Sequence, residues 1–239
     1  MKIALLGYGK MGQAIESLAI AAGHEIVLII NSSNPDDLTA EQLQKADIAI
    51  EFSRPELAWR HVEACLLADL PVVCGTTGWH DLLPLARALA EERKQAFLYA
   101  ANFSLGVNIF FALNRYLAER MSQWGDYQPS IREIHHTRKL DAPSGTAIHL
   151  ANDLLARLPR KDHWSAQTPF AETSIPIFSE RIGDVPGTHE VVFASAIDNI
   201  TIRHEAHSRE GFAKGALLAA SWIVEHRAFG PLSIEDILG

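Results

Sequence analysis

Residues Glu133–Ala147, EIHHTRKLDAPSGTA, gather proton-bearing and anion-binding groups within fifteen positions. His135 and His136 are adjacent, Lys139 follows four positions after the first, and Ser144-Gly145-Thr146 closes the stretch. A histidine titrates near neutral pH, so it can both hold and release a proton. A lysine beside it stabilises negative charge as that charge develops. The Ser-Gly-Thr turn precedes an apolar-periodic segment, Ala147-Ile148-Leu150-Ala151-Leu154-Leu155, for which Ser144 is the expected N-cap. Backbone N–H groups at such a helix start favour an anion, and Arg138 and Lys139 add positive charge. The stretch has the parts to hold a small acidic substrate and to move a proton. The plainer alternative is a polar surface turn with no chemical task.

A second set of residues points to a dinucleotide. Gly7-Tyr8-Gly9-Lys10-Met11-Gly12 is a GxGxxG run between a short apolar strand, Lys2–Leu6, and a helix from Met11 to about Ala22. A second strand, Glu25–Ile30, follows. In that context the first glycine permits the tight turn and the second lets the backbone approach a pyrophosphate. The third allows close helix–strand packing, and the helix N-terminus carries the phosphate. An NAD-specific site usually places a carboxylate at the end of the second strand to bind the ribose 2′-hydroxyl. Here Asn31 and Ser32 stand there instead. Nothing repels a 2′-phosphate, yet no arginine attracts one, so NADPH and NADH both remain open as cofactors.

The elements that must position these groups alternate. Strands are expected at Ala46–Phe52, Pro71–Cys74 and Ala96–Tyr99, with helices at Leu57–Leu67 and Leu82–Glu92 between them. Such alternation argues for a parallel sheet with helices on both faces, an α/β fold. Phe52–Pro55, Gly75-Thr76-Thr77-Gly78 and Ala100-Ala101-Asn102-Phe103-Ser104 fall at the carboxyl ends of strands, where open α/β sheets bind ligands. The pattern then changes. A long helix is expected from Val107 to about Gln123, and Ser130–Ile134 has β character. Residues 159–187 read as loop-rich, with a strand at Ile175–Arg181. His189–Ala196 and Asn199–Glu205 read as strands joined by a turn at Asp198-Asn199. A final helix is expected over Arg209–Glu225, and the tail after Gly230 is expected to return to the first domain.

Composition narrows the function classes. The chain has 239 residues, a formal net charge of −8, 48% apolar and 21% charged residues, the balance of a soluble globular protein. A nucleic-acid partner is not expected without a basic stripe, and no apolar run is long enough for a membrane span. Cys65 and Cys74 lack CxxC spacing, so free buried thiols and a cytoplasmic location are expected. A metal site from His135, His136, His204 and His207 finds no support in their spacing, and none is expected.

The ordered series of motifs resembles the dihydrodipicolinate (4-hydroxy-tetrahydrodipicolinate) reductase family of the diaminopimelate route to lysine. Its most specific element is Glu133-x-His-His-x-x-Lys-x-Asp-Ala-Pro-Ser-Gly-Thr-Ala147, joined by Gly7–Gly12, Phe52-x-Arg-Pro55, Gly75–Gly78, Ala100–Ser104 and Arg181-x-Gly-x-x-x-Gly187. The resemblance implies a Rossmann-type doubly wound parallel sheet in residues 1–104 and 207–239. It implies an inserted α+β substrate and tetramerisation domain in residues 105–206, within a homotetramer. It also implies NAD(P)H-dependent reduction of a small dicarboxylate, with His135 and Lys139 as proton donors. His136, Ser144, Gly145 and Thr146 would then be substrate contacts. Gly7–Gly12, Asn31-Ser32, Gly75–Thr77 and Ala100–Phe103 would be cofactor contacts. Many members carry an acidic residue where this chain has Asn31-Ser32, which leaves the choice between NADH and NADPH undecided. Without the resemblance, another Rossmann-type NAD(P)-dependent oxidoreductase acting on an amino acid or sugar fits the same residues.

Overall fold

The structure, a computed structural model, describes residues 1–208 and 210–238, the last by its backbone alone. In chain order, β1 (Lys2–Leu6), α1 (Lys10–Ala21), β2 (Glu25–Ile30), α2 (Ala40–Leu43), β3 (Ile48–Glu51), α3 (Pro55–Leu67), β4 (Val72–Cys74), α4 (Leu83–Arg93) and β5 (Ala96–Tyr99) come first. Then follow α5 (Leu105–Met121), β6 (Gln128–His135), α6 (Gly145–Leu155), β7 (His163–Ser165), β8 (Ser174–Arg181), β9 (Gly187–Ala194) and β10 (Asn199–Ala206). The chain ends with α7 (Glu210–His226), β11 (Gly230–Leu232) and α8 (Glu235–Leu238). The expected helix start at Arg209 and the final Gly239 lie outside the described residues.

Two compact units result. The first takes the chain up to Leu105 and resumes at Glu210, and the second begins at Gly106. The first unit is built on a six-stranded sheet in the order β11-β5-β4-β3-β1-β2, every pair parallel. Its central strands β3 and β4 are buried at every position, as a parallel sheet covered on both faces requires. Alternation divides each strand between two cores. Ala4, Leu6, Ala49, Val72 and Cys74 pack with α3 and α4. Ile3, Leu5, Ile48, Ile50, Val73 and Leu98 pack with α1 and α7. The three residues of β11, Gly-Pro-Leu, have little strand preference of their own; parallel pairing with β5 makes them a strand.

The second unit has a five-stranded mixed sheet in the order β10-β9-β6-β8-β7. β6 pairs antiparallel with β9 and parallel with β8. One face packs on α5 and α6 through Ile131, Ile177, Val191 and Phe193. Among the described residues no helix of this unit packs on the other face. There Arg132 pairs with Glu180 at 2.7 Å and with Glu190 at 3.5 Å, and Arg203 pairs with Glu190 at 2.5 Å. The region read as loop-rich, 159–187, contains β7 and all of β8, which begins one residue before the expected strand. β7 is too short to show alternation in the sequence and exists through its pairing with β8.

Candidate active site

In the first unit the first and third glycines of the GxGxxG turn stand where only glycine fits, while Gly9 has open space around it. Gly7 has φ +98°, and a Cβ there would stand 2.1 Å from the Phe52 carbonyl oxygen. A Cβ on Gly12 would stand 2.4 Å from the carbonyl oxygen of Gly7. Gly9 is the N-cap of α1, with no side-chain cap and no acidic residue in the first turn. The first-turn N–H groups are therefore not claimed by a side chain, which fits a pyrophosphate. Lys10 and Met11 lie in that turn. The Tyr8 hydroxyl instead turns back and donates to Glu16.

At the end of β2, Asn31 Oδ1 accepts from Ser33 N at 2.8 Å and from Ser33 Oγ at 2.6 Å. Asn31 is thereby folded into a turn, and Ser32 is left exposed. Asp37, the nearby carboxylate, is engaged by Asn34 Nδ2 at 3.0 Å. The three remaining loops of this unit are tied to one another. Glu51 is fully buried at the end of β3. It accepts from Ser53 N at 3.1 Å and from Cys74 Sγ at 3.0 Å, and His61 Nδ1 lies 3.3 Å away. Burial pushes the Glu51 carboxyl up, but hydrogen bonds from His61, Ser53, Cys74 and Thr76 outweigh it and hold the group below its ordinary value. Ser53 N also donates to Thr76 Oγ1 at 2.7 Å. A Cβ on Gly75 would stand 2.1 Å from the Phe52 ring, and that ring lies 5.7 Å from Phe103. A Cβ on Gly215 of α7 would stand 1.7 Å from the Phe103 carbonyl oxygen, so α7 supports the Ala100–Phe103 loop directly. Asn102 Oδ1 accepts from Ser104 N at 2.8 Å. Thr77 and Ala101 are exposed beside these fixed points.

In the second unit the end of β6 carries the chemistry. Alternation puts Ile131, Glu133 and His135 on the face turned toward the helices, all buried. The sheet register sets His189 of β9 opposite Glu133 and Arg181 of β8 opposite His135. Glu133 Oε1 accepts from Ser144 N at 3.0 Å and from Arg181 Nη2 at 3.1 Å. Its Oε2 stands 3.0 Å from His135 Nδ1 and 3.9 Å from His189 Nε2. Burial raises the Glu133 carboxyl, but hydrogen bonding with His135, Ser144 and Ser179 overrides this and holds it far below the ordinary carboxylate range. His189 is pushed down to about 4 by burial and then by the neighbouring His135. It is therefore neutral at pH 7, edge-on to the His135 ring at 5.0 Å and 3.2 Å from Ser144 Oγ.

The loop after β6 supplies the rest. Lys139 Nζ donates to both oxygens of Asp141 at 2.8 Å, and this contact holds the Asp141 carboxyl below its ordinary value. Arg181 fastens the loop by donating to the carbonyls of Lys139 at 3.3 Å and Asp141 at 2.5 Å. Ser144 caps α6, its Oγ accepting from Ala147 N at 3.2 Å. Gly145 and Thr146 begin that helix, whose first turn has no acidic residue. A Cβ on Gly187 would stand 3.2 Å from His135 Nε2, so glycine there keeps the far edge of the ring clear. His136 is half-buried just past β6.

His135, Lys139 and Ser144–Thr146 thus belong to one cluster. Arg138 does not; it pairs with Asp184 on the surface at 2.8 Å. Sequence reasoning missed Glu133, Arg181 and His189 as site residues. Glu133 was legible, because i and i+2 share a strand face. His189 and Arg181 come from other strands, and only the register brings them in. Glu133, His135 and His189 each offer an atom within 4.8 Å of the others, a grouping different from the one weighed from the sequence. The Arg181 guanidinium and the Ser144 N–H on Glu133 make it a hydrogen-bonded hub. Among the described residues no helix is long and apolar enough to cross a membrane, and Cys65 and Cys74 are free and buried.

Comparison with known proteins is consistent along the whole chain. Residues 1–103 match the family profile "Dihydrodipicolinate reductase, N-terminus", and residues 106–238 match "Dihydrodipicolinate reductase, C-terminus". A 4-hydroxy-tetrahydrodipicolinate reductase of Christiangramia forsetii is 44% identical over 240 residues, covering 100% of this chain and 98% of the relative. One from Neisseria gonorrhoeae is 34% identical, covering 94% and 84%. The solved structure of a dipicolinate-bound dihydrodipicolinate reductase from Paenisporosarcina sp. TG-14 superposes with TM-score 0.79 at 23% identity, covering 98% of this chain and 97% of that one.

Proposed function

The chain belongs to the dihydrodipicolinate reductase family, and from that premise we propose which of its residues carry out the reduction. It is an NAD(P)H-dependent oxidoreductase that reduces 4-hydroxy-tetrahydrodipicolinate, or dihydrodipicolinate, to tetrahydrodipicolinate in the diaminopimelate route to lysine. Bound NAD(P)H supplies the hydride. The acceptor would be the conjugated cyclic imine, which the 4-hydroxy form becomes by losing its hydroxyl as water, and the negative charge left on the ring would call for a proton. His135 delivers that proton from Nε2, because its Nδ1 faces Glu133. Lys139 stabilises the charge and serves as the second proton donor, leaving Asp141 for the substrate. The N–H groups of Gly145 and Thr146, the Ser144 hydroxyl and His136 hold a substrate carboxylate.

The cofactor is held by Gly7, Tyr8, Gly9, Lys10, Met11 and Gly12 at the pyrophosphate. Asn31 and Ser32 serve the adenosine ribose; Gly75, Thr76, Thr77 and Ala100–Phe103 serve the nicotinamide. Residues 1–104 and 207–239 form the dinucleotide-binding domain; residues 105–206 form the substrate-binding and oligomerisation domain. The chain works as a homotetramer in the cytoplasm, where free thiols are stable, with neither nucleic acid nor membrane as partner. The helix-free face of the second unit's sheet supports the assembly.

The observation that carries the assignment of roles is the buried Glu133 carboxylate, which meets His135 and Ser144 directly and the Lys139 loop through Arg181. The test is loss of absorbance at 340 nm, coupled to the synthase that makes the substrate, with NADH and NADPH in turn. His135→Gln and Lys139→Ala are each expected to lose about 10²- to 10⁴-fold in kcat while still binding NADPH. Near wild-type turnover in both would remove these roles.

A further inference from the structure

We propose that Glu133 is the positioning residue of this site, its two carboxylate oxygens setting the His135 ring and the Ser144 turn in one fixed relation. The inference rests on the reading of His135 as proton donor and Ser144–Thr146 as carboxylate cradle. Three observations carry it. Glu133 Oε2 and His135 Nδ1 are both buried and find no hydrogen-bond partner elsewhere among the described residues, yet they stand 3.0 Å apart. Each is the group the other requires, since a buried polar atom without a partner is costly. The other oxygen accepts from Ser144 N at 3.0 Å, the residue that caps α6 and begins the cradle. Finally, Arg181 donates to that same oxygen at 3.1 Å and also to the Lys139 and Asp141 carbonyls. One carboxylate therefore reaches the proton donor, the cradle and, through Arg181, the loop that carries the second cation.

The chemical consequence is directional. A carboxylate only accepts, so His135 presents Nδ1–H to Glu133 and works through Nε2, beside the space that Gly187 leaves open. Glutamine has the same shape. With its oxygen kept toward Ser144 N and Arg181, its amide NH₂ would face His135 Nδ1 and make that nitrogen an acceptor. The ring would then lose both its countercharge and its set orientation. His189, neutral and 3.9 Å from Oε2, takes no part in this exchange and packs as the wall behind the ring.

The test is a double-mutant cycle on the full-length enzyme. Glu133→Gln is expected to lower kcat about 100-fold and to raise the substrate KM through the cradle, with NADPH binding unchanged by fluorescence titration. In the His135→Gln background, adding Glu133→Gln is expected to lower kcat by less than about threefold, because a residue acting through His135 has nothing left to act on. Full kcat in Glu133→Gln, or the same 100-fold loss repeated in the His135→Gln background, overturns the positioning role. Wild-type kcat in His135→Gln alone instead removes the underlying reading. Should Glu133→Gln fail to fold by circular dichroism, Glu133→Asp carries the cycle. It keeps the charge but is one methylene too short to reach both Ser144 N and His135 Nδ1, and the same non-additive loss is expected.

Discussion

His189 shows how one buried side chain ties the site to pH. It is 5% exposed, and its ring is held at about 4 against an ordinary 6.5. Below pH 6.5 the unfolded chain takes up a proton that the folded chain refuses, so stability falls as pH drops from 6.5 toward 4. The loss is on the order of 2.5 kcal/mol by pH 4.5. Glu133 has the opposite origin and a lower window. Held below its ordinary 4.5, it contributes stability above that pH and gives it up only as acid goes lower still. Urea unfolding between pH 7 and 4.5 should therefore show a steeper decline in the wild type than in His189→Gln; parallel declines would mean that the folded protein accepts the proton. At this scale the sequence was only partly readable. His135, Lys139 and Ser144 announce themselves by type and spacing, and Glu133 by its place two residues before His135 on a strand. Nothing in a linear text pairs Glu133 with a histidine 56 positions later; the antiparallel register of β6 and β9 does that.

At the level of elements, the β1–α1 turn is the most constrained piece of backbone. Gly7 needs both a positive φ and the absence of a Cβ, because the Phe52 carbonyl fills the space. Gly7→Ala is expected to cost at least about 2 kcal/mol, from the left-handed backbone and the displacement of Phe52. Both a lower urea midpoint and weakened NADPH binding should appear, and an unchanged midpoint would refute the argument. Elements with strong periodicity or continuous apolar runs were legible before any coordinates: β1, α1, β2, α3, β4, α4, β5, α5 and α6. Their edges moved for local reasons. α3 starts at Pro55 and not Leu57, since proline suits the first helical turn. β3 spans Ile48–Glu51 and not Ala46–Phe52, as only those residues pair with β1. β7 and β11 were not readable, because three residues each carry no period and pairing alone creates them.

For the whole molecule, the two sheets face different surroundings. The parallel sheet is covered on both sides by helices of its own unit, whereas among the described residues the mixed sheet has them on one side only. On its bare side Phe178, 45% exposed, lies 5.4 Å from Phe170. Ile134 and Val192 share that face with the Arg132, Glu180, Glu190 and Arg203 ion pairs. Such a surface suits contact with other copies of the chain. For the homotetramer proposed above, Phe178→Glu is expected to shift the sedimenting species from four times the 26.3 kDa chain mass to a smaller one, with NADPH binding retained; an unchanged mass would dismiss this face as the interface. The net charge of −8 does not oppose an anionic substrate, because the local field near Lys139 and Arg181 is what the substrate meets. The division of the first unit by the second has a further consequence, for the order in which a ribosome finishes each part. Residues 106–208 emerge as one uninterrupted run with their own core. Ile3, Leu5, Ile48, Ile50, Val73 and Leu98, made long before, wait for Ala213, Ala216, Ala220 and Ile223 of α7 to cover them. The inserted unit can close while the part of the protein that began first is still half open.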